Sequence, residues 1–192
     1  MKIIFLDFDG VITTYDSKWN IDLDKLALVD KIIEQTNAKI VVTSTWKHSS
    51  KNVEDFKTRI YTRRCSKNAK DKTPFTKFVD QIYDITNGCG YRGDEVEEYI
   101  DKHKDEIESY VILDDDDDFK EEQLFNFVQT DTYEGITERE VKLCVNILNN
   151  EKIPNPIRLN LRLITMWRNM RMGVKENNID KLLYSYYSKF EN

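Results

Sequence analysis

The sequence predicts an α/β protein, a central parallel sheet with helices on both faces. Three observations carry this. Apolar runs of single-strand length alternate with stretches of helical periodicity, the order that builds parallel sheets. Three of those runs, in KIIFLDFDG, KIVVTS and VILDDDDDF, are continuous, as strands covered on both faces must be. All three stop at residues able to do chemistry, and the loops after the strands are where such sheets collect functional groups.

Taken in order, a first strand over Lys2–Asp7 precedes a helix over Asp22–Gln35, with Leu23, Leu26, Val29 and Ile33 on one face. A strand follows at Lys39–Ser44. Phe75, Phe78, Val79 and Ile82 then predict a helix near Thr76–Ile85. A helix over Gly93–His103 leads to a strand at Tyr110–Leu113, a short helix from Phe119 and a strand at Phe125–Gln129. The last core helix spans Thr137–Leu148, and Thr137 with Glu140 three residues on reads as a capping box. These elements define a domain over 1–150, within which 47–92 is a candidate small lid. Pro154 and Pro156 break the chain. Beyond them Leu159, Leu163, Met166 and Met170 recur at helical spacing among arginines, and Tyr184, Tyr186, Tyr187 and Phe190 follow, so 151–192 is expected to be a helical extension.

Composition is that of a globular chain: 192 residues, 40% hydrophobic and 33% charged. Cys65, Cys89 and Cys144 are odd in number and lack Cys-x-x-Cys spacing, which argues against zinc and a disulfide scaffold and suits a reducing cytosol. No charged-then-apolar leader precedes Asp7 and no apolar run reaches membrane-spanning length, so a cytoplasmic protein is expected. The net charge of −6 is unevenly spread. Lys57, Arg59, Arg63, Arg64, Lys67, Lys70 and Lys72 crowd one segment against a single acid, Asp71. Lys152, Arg158, Arg162, Arg168, Arg171 and Lys175 occupy another that has none. Such faces suit a polyanion, although many surface lysines only solubilise.

The chemistry begins at Asp7, Phe8, Asp9, Gly10. Residues two apart on an extended chain point to the same side, so Asp7 and Asp9 face one centre. Gly10 lets the backbone turn or approach a ligand closely. Two carboxylates so near each other need a cation or a proton between them. Asp114 and Asp115 stand at the end of a second strand, whereas Asp116 to Asp118 read as a solvated acidic loop. Thr43, Ser44, Thr45, Trp46 and Lys47 end a third strand with hydroxyls and a base.

Together these residues resemble the haloacid dehalogenase (HAD) superfamily of phosphate-transferring hydrolases: an Asp-x-Asp-Gly box, a Ser/Thr-ended strand, a basic residue, then an acidic pair. The resemblance covers about residues 2 to 149. Ser44–Lys47, Arg92–Glu95, ILDDDDDF and FVQTDTYEGIT look like the small HAD domains of nucleic-acid-repair and phage-type phosphatases. It implies a three-layer Rossmann-like fold with little or no cap, because few residues separate Asp9 from the first helix. An uncapped site suits macromolecular substrates. Asp7 would then be the nucleophile and Asp9 the acid and base. One Mg²⁺ would sit among Asp7, Asp114, Asp115 and the Asp9 carbonyl. Ser44 would bind a phosphoryl oxygen, or Thr43 if the register slips by one. Arg92 best fits the basic position, with Lys47 a substitute and Lys77 a remote one. Gly10, Thr45, Lys47, Arg63 and Arg64 are candidate substrate contacts. Asp118 is expected to orient either the metal site or a backbone amide, and His48 and His103 carry no firm role. The expected activity is Mg²⁺-dependent phosphomonoester hydrolysis through an aspartyl-phosphate, on single-stranded nucleic-acid ends or nucleotides. A sugar-phosphate phosphatase and a non-catalytic HAD-fold binding module are the alternatives.

Overall fold

The computed structural model describes residues 1–64, 73–88 and 90–150. Strand β1 (Lys2–Leu6) is the middle of a five-stranded sheet because nothing in it tolerates water: Ile3, Ile4, Phe5 and Leu6 are all fully buried. Around it lie β2 (Lys39–Val42), β3 (Ile82–Ile85), β4 (Ser109–Asp114) and β5 (Phe127–Gln129), in the order β3-β2-β1-β4-β5, all parallel. The chain builds β1, β2 and β3 towards one edge, then crosses back to place β4 on the far side of β1. The order therefore reverses between β1 and β4, and open α/β sheets bind ligands at such a point. Leu6 pairs with Leu113, so Asp7 and Asp114 leave the sheet side by side.

Among the described residues five helices cover the sheet: α1 (Leu23–Thr36), α2 (Val53–Arg64), α3 (Thr73–Gln81), α4 (Arg92–Lys102) and α5 (Glu138–Leu148). Alternation along β1 sends Ile3 and Phe5 into one core with Val96 and Tyr99 of α4, and the Phe5 and Tyr99 rings meet edge to face at 5.6 Å. In the remaining layer α1 packs against α5 and α3. The helices start where their caps dictate. Asp22 accepts the Asp24 N–H at 2.9 Å to open α1, and Asn37 at φ 56° closes it. Thr137 and Glu140 form the expected capping box on α5.

The sequence expectation differs from the structure at two elements. Helix α2 (Val53–Arg64) forms where the sequence reading places no element. The helix expected near Thr76–Ile85 ends at Gln81, and Ile82–Ile85 is the edge strand β3. Ile82 is buried, but by pairing with Ile40 rather than on a helix face. An apolar residue at helical spacing that opens a strand cannot be told apart from one that ends a helix. Much of segment 47–92 is thereby committed to the sheet and its helical layer. Residues 65–72 of the basic run, Cys65, Cys89 and the extension over 151–192 lie outside the described residues. Among the described residues no helix is long and apolar enough to cross a membrane.

Candidate active site

The site starts from a hydrophobic anchor. Phe8 is fully buried and packs on Trp46, Phe56 and Phe78 at ring distances of 5.3, 5.9 and 5.8 Å. With Phe8 locked into the core, the residues on either side are turned the other way. Asp7 is 1% exposed, and its N–H still bonds the Leu113 carbonyl at 3.0 Å. The Asp9 carboxylate is gripped from two sides. Its Oδ2 accepts from the Trp46 indole N–H and its Oδ1 from the Thr13 hydroxyl, both at 2.8 Å. Gly10 has φ +72°, and a Cβ there would stand 2.2 Å from Cγ of Asp115. Its freedom serves the close approach of a second carboxylate.

Asp7, Asp114 and Asp115 bring one carboxylate oxygen each within 4.8 Å of one another. Asp114 is fully buried, accepts from the Asp116 N–H at 2.9 Å and is ion-paired with the Arg92 guanidinium. Asp115 is held by the Thr132 hydroxyl at 2.6 Å, and its carbonyl by the Gln129 amide at 2.7 Å. Burial pushes the Asp7 carboxyl up to about 7. The Arg92 guanidinium and the Ser44 hydroxyl pull it down, while Asp9 and Asp115 add to the rise. Burial likewise raises Asp114, helped by Asp7, and it raises Asp115. Oδ1 of Asp7 is buried with no hydrogen-bond partner among the described residues. Three carboxylates and one guanidinium leave a deficit of two positive charges around that oxygen. A hard divalent cation with oxygen ligands fits it in charge and in donor type.

A hydroxyl and a guanidinium reach these carboxylates from the loop after β2 and from the start of α4. A hydrogen bond from the Ser44 hydroxyl favours the ionised Asp7 carboxyl. Thr43 is buried, and its hydroxyl has no hydrogen-bond partner among the described residues. Ser44 also accepts the Trp46 N–H at 3.4 Å, capping a 3-10 turn over Thr45–Lys47. Arg92 opens α4 and reaches within 3.5 Å of Asp7 while pairing with Asp114. Asp118 accepts the Arg92 N–H at 3.4 Å, so of its two expected roles it takes the backbone one.

These are the marks of a HAD domain. A family described as the HAD domain in Swiss Army Knife RNA repair proteins matches residues 3–141, most of the chain. The chain belongs to that family. Nothing among curated proteins or solved structures matches it significantly. HAD domains are in general hydrolases of the phosphatase type, and the all-parallel sheet with helical layers is this HAD domain's form of the three-layer fold.

Lys47 and Lys77 are paired elsewhere. Lys47 is buried in an ion pair with Glu95 at 2.8 Å and donates to the Thr43 carbonyl at 3.2 Å. Glu95 in turn accepts from Thr86 at 2.9 Å. Lys47 thus braces the β2 loop against α4 and β3 rather than offering a free charge. Lys77 pairs with Asp30 at 3.1 Å and Glu34 at 3.5 Å on α1. The Thr45 side chain is exposed. Arg63 and Arg64 end α2, and their side chains lie outside the described residues. His48, together with Lys47, Glu95 and Tyr99, lines a separate cavity of about 410 Å³ beyond the ends of β2 and β3. His103 stacks on Tyr99 at 4.5 Å. Conversely, Thr13, Trp46, Thr130 and Thr132 hold the site and had no assigned role. Thr130 bonds the Gly10 carbonyl at 2.7 Å. The alternating threonines in FVQTDTYEGIT were the available signal, since residues two apart share a side.

Proposed function

We propose that this HAD domain is a Mg²⁺-dependent phosphomonoesterase acting on phosphorylated nucleic-acid ends, with RNA favoured by its family's occurrence in RNA repair proteins. The observation that carries the reading is Asp7: a buried carboxylate with one oxygen that no hydrogen bond satisfies among the described residues, at the switch point of the sheet, flanked by Ser44, Arg92 and two further carboxylates.

In this mechanism an Asp7 oxygen attacks phosphorus, and the bond to the leaving oxygen breaks as that oxygen takes a proton from Asp9. The Trp46 and Thr13 hydrogen bonds hold Asp9 in place for this transfer. Asp9, now a carboxylate, takes a proton from water. The water oxygen attacks the phosphoaspartate and frees phosphate, returning Asp7 and Asp9 to their starting states. Ser44 and Arg92 orient the phosphoryl oxygens and oppose their charge. Asp7, Asp114 and Asp115 would hold Mg²⁺, which supplies charge stabilisation to the transferring phosphoryl group.

The turn between β1 and α1 supports a large substrate. It is closed by short bridges, Asp9 to Thr13 and Thr13 to Ile21, and carries no inserted domain. The deciding experiment measures phosphate release from 3′- and 5′-phosphorylated RNA and DNA oligonucleotides, mononucleotides and sugar phosphates, with Mg²⁺ and with chelator. Release from oligonucleotide ends that stops in chelator is expected. No release from any substrate refutes the reading, and preference for sugar phosphates moves it to the small-metabolite alternative.

A further inference from the structure

The two most exposed of the large apolar side chains among the described residues stand next to each other. Tyr15 is 62% exposed and Tyr133 67%, and their rings lie 5.8 Å apart, tilted by 59°. They come from loops at opposite places in the chain, each rooted on a carboxylate of the site. Tyr15 lies in the turn after β1, which Thr13 ties to Asp9. Tyr133 follows Thr132, the residue bonded to Asp115, in a turn closed by the Asp131 to Gly135 bridge.

The pairing of these loops is built in. The Ile136 N–H bonds the Val11 carbonyl at 3.0 Å. Gly135 has φ +72°, and a Cβ there would stand 2.6 Å from that same carbonyl oxygen. Lys18 and Trp19, at φ 52° and 59°, turn the first loop in the left-handed region that non-glycine residues avoid, and Trp19 is itself 42% exposed. Strained turns that keep aromatic faces in water beside a phosphate-handling centre are what a planar, uncharged ligand group would use.

Resting on the nucleic-acid reading above, we propose that Tyr15 and Tyr133 form a stacking platform for the nucleobase of the nucleotide that carries the phosphate being removed. A base has a π-face whatever its identity, so the platform favours nucleotides over sugar phosphates without selecting a sequence.

The test uses the full chain and three substrates: an end-phosphorylated oligonucleotide, the same oligonucleotide with its terminal nucleotide abasic, and ribose 5-phosphate. Removing the base is expected to raise the wild-type KM by roughly five- to hundredfold. The Tyr15→Ala/Tyr133→Ala variant is expected to show that loss on the intact substrate and little further loss on the abasic one. Tyr15→Phe/Tyr133→Phe, which keeps both rings, is expected to restore the intact-substrate KM. Equal KM for intact and abasic substrates in the wild type overturns the platform and leaves the phosphatase reading standing. Equal losses by the alanine variant on both substrates also overturn it, as would failure of phenylalanine to rescue. Absence of phosphate release from all three substrates overturns both readings.

Discussion

Lys47, the substitute for Arg92 at the basic position and a candidate substrate contact, spends its charge on Glu95. The two readings part cleanly in Lys47→Met. The methionine keeps the apolar stem and removes only the ammonium. Glu95, 6% exposed, is then left as a buried carboxylate holding one hydrogen bond, from Thr86 at 2.9 Å. Breaking a buried pair from one side costs about 3–5 kcal/mol. The surviving Thr86 bond puts this case near the lower end, about 3 kcal/mol. For a chain of this size that corresponds to a drop of roughly 6–12 °C in Tm. Lys47→Met/Glu95→Leu removes the orphaned charge along with its partner and is expected to recover most of the loss. Urea unfolding of wild type, both single variants and the double variant measures the coupling. If Lys47→Met unfolds at the wild-type midpoint but has lost phosphate release, Lys47 serves the substrate and the bracing role is wrong.

Asp7→Asn matches the shape of aspartate without its nucleophilicity, so phosphate release is expected to fall below about a hundredth of wild type while the fold persists; more activity than that removes Asp7 from the nucleophile's role. Gly10→Ala adds about 1 kcal/mol of left-handed strain and drives Asp115 from its position, so the Mg²⁺ concentration for half-maximal activity is expected to rise at least about tenfold; an unchanged Mg²⁺ titration refutes this. Stability of the ion-free protein is expected to depend on pH with a definite sign. The folded-state pKa of Asp7, about 7, lies above its ordinary value of 3.8, so the folded protein binds this proton more tightly than the unfolded chain. That contribution is complete below 3.8 and is lost as pH rises through about 7. Thermal melts in chelator are therefore expected to show higher stability at pH 5 than at pH 8, with Mg²⁺ raising Tm more at pH 8. Equal Mg²⁺ effects at both values contradict the cluster.

Strands β1, β2 and β4 and the carboxylates and hydroxyls at their ends were legible because both are local. Ile3 to Leu6 form a continuous apolar run, the carboxylates begin where it stops, and the Thr137–Glu140 cap spans three residues. What could not be read was the pairing of residues distant in sequence. The Lys47–Glu95 pair spans 48 positions and the Trp46–Asp9 bond spans 37. Neither leaves a periodic trace, and each follows only once β1, β2 and α4 meet. Strand β3 was hidden for another reason. Ile82 extends the spacing of Phe75, Phe78 and Val79, and only its partner Ile40 decides between helix and strand.

In the proposed mechanism Phe8 moves no proton and no phosphoryl group, yet it sits between Asp7 and Asp9, the two residues given those roles. Its ring is gripped by a turn and by two helices, α2 and α3, through Trp46, Phe56 and Phe78. On that reading, packing behind the site calibrates the separation of attacking group and proton donor. Trimming Phe56 or Phe78 would let that calibration drift while the sheet stays closed. Turnover would then fade under gentler conditions than those that melt the protein, and variants sorted only for solubility or expression would miss the defect.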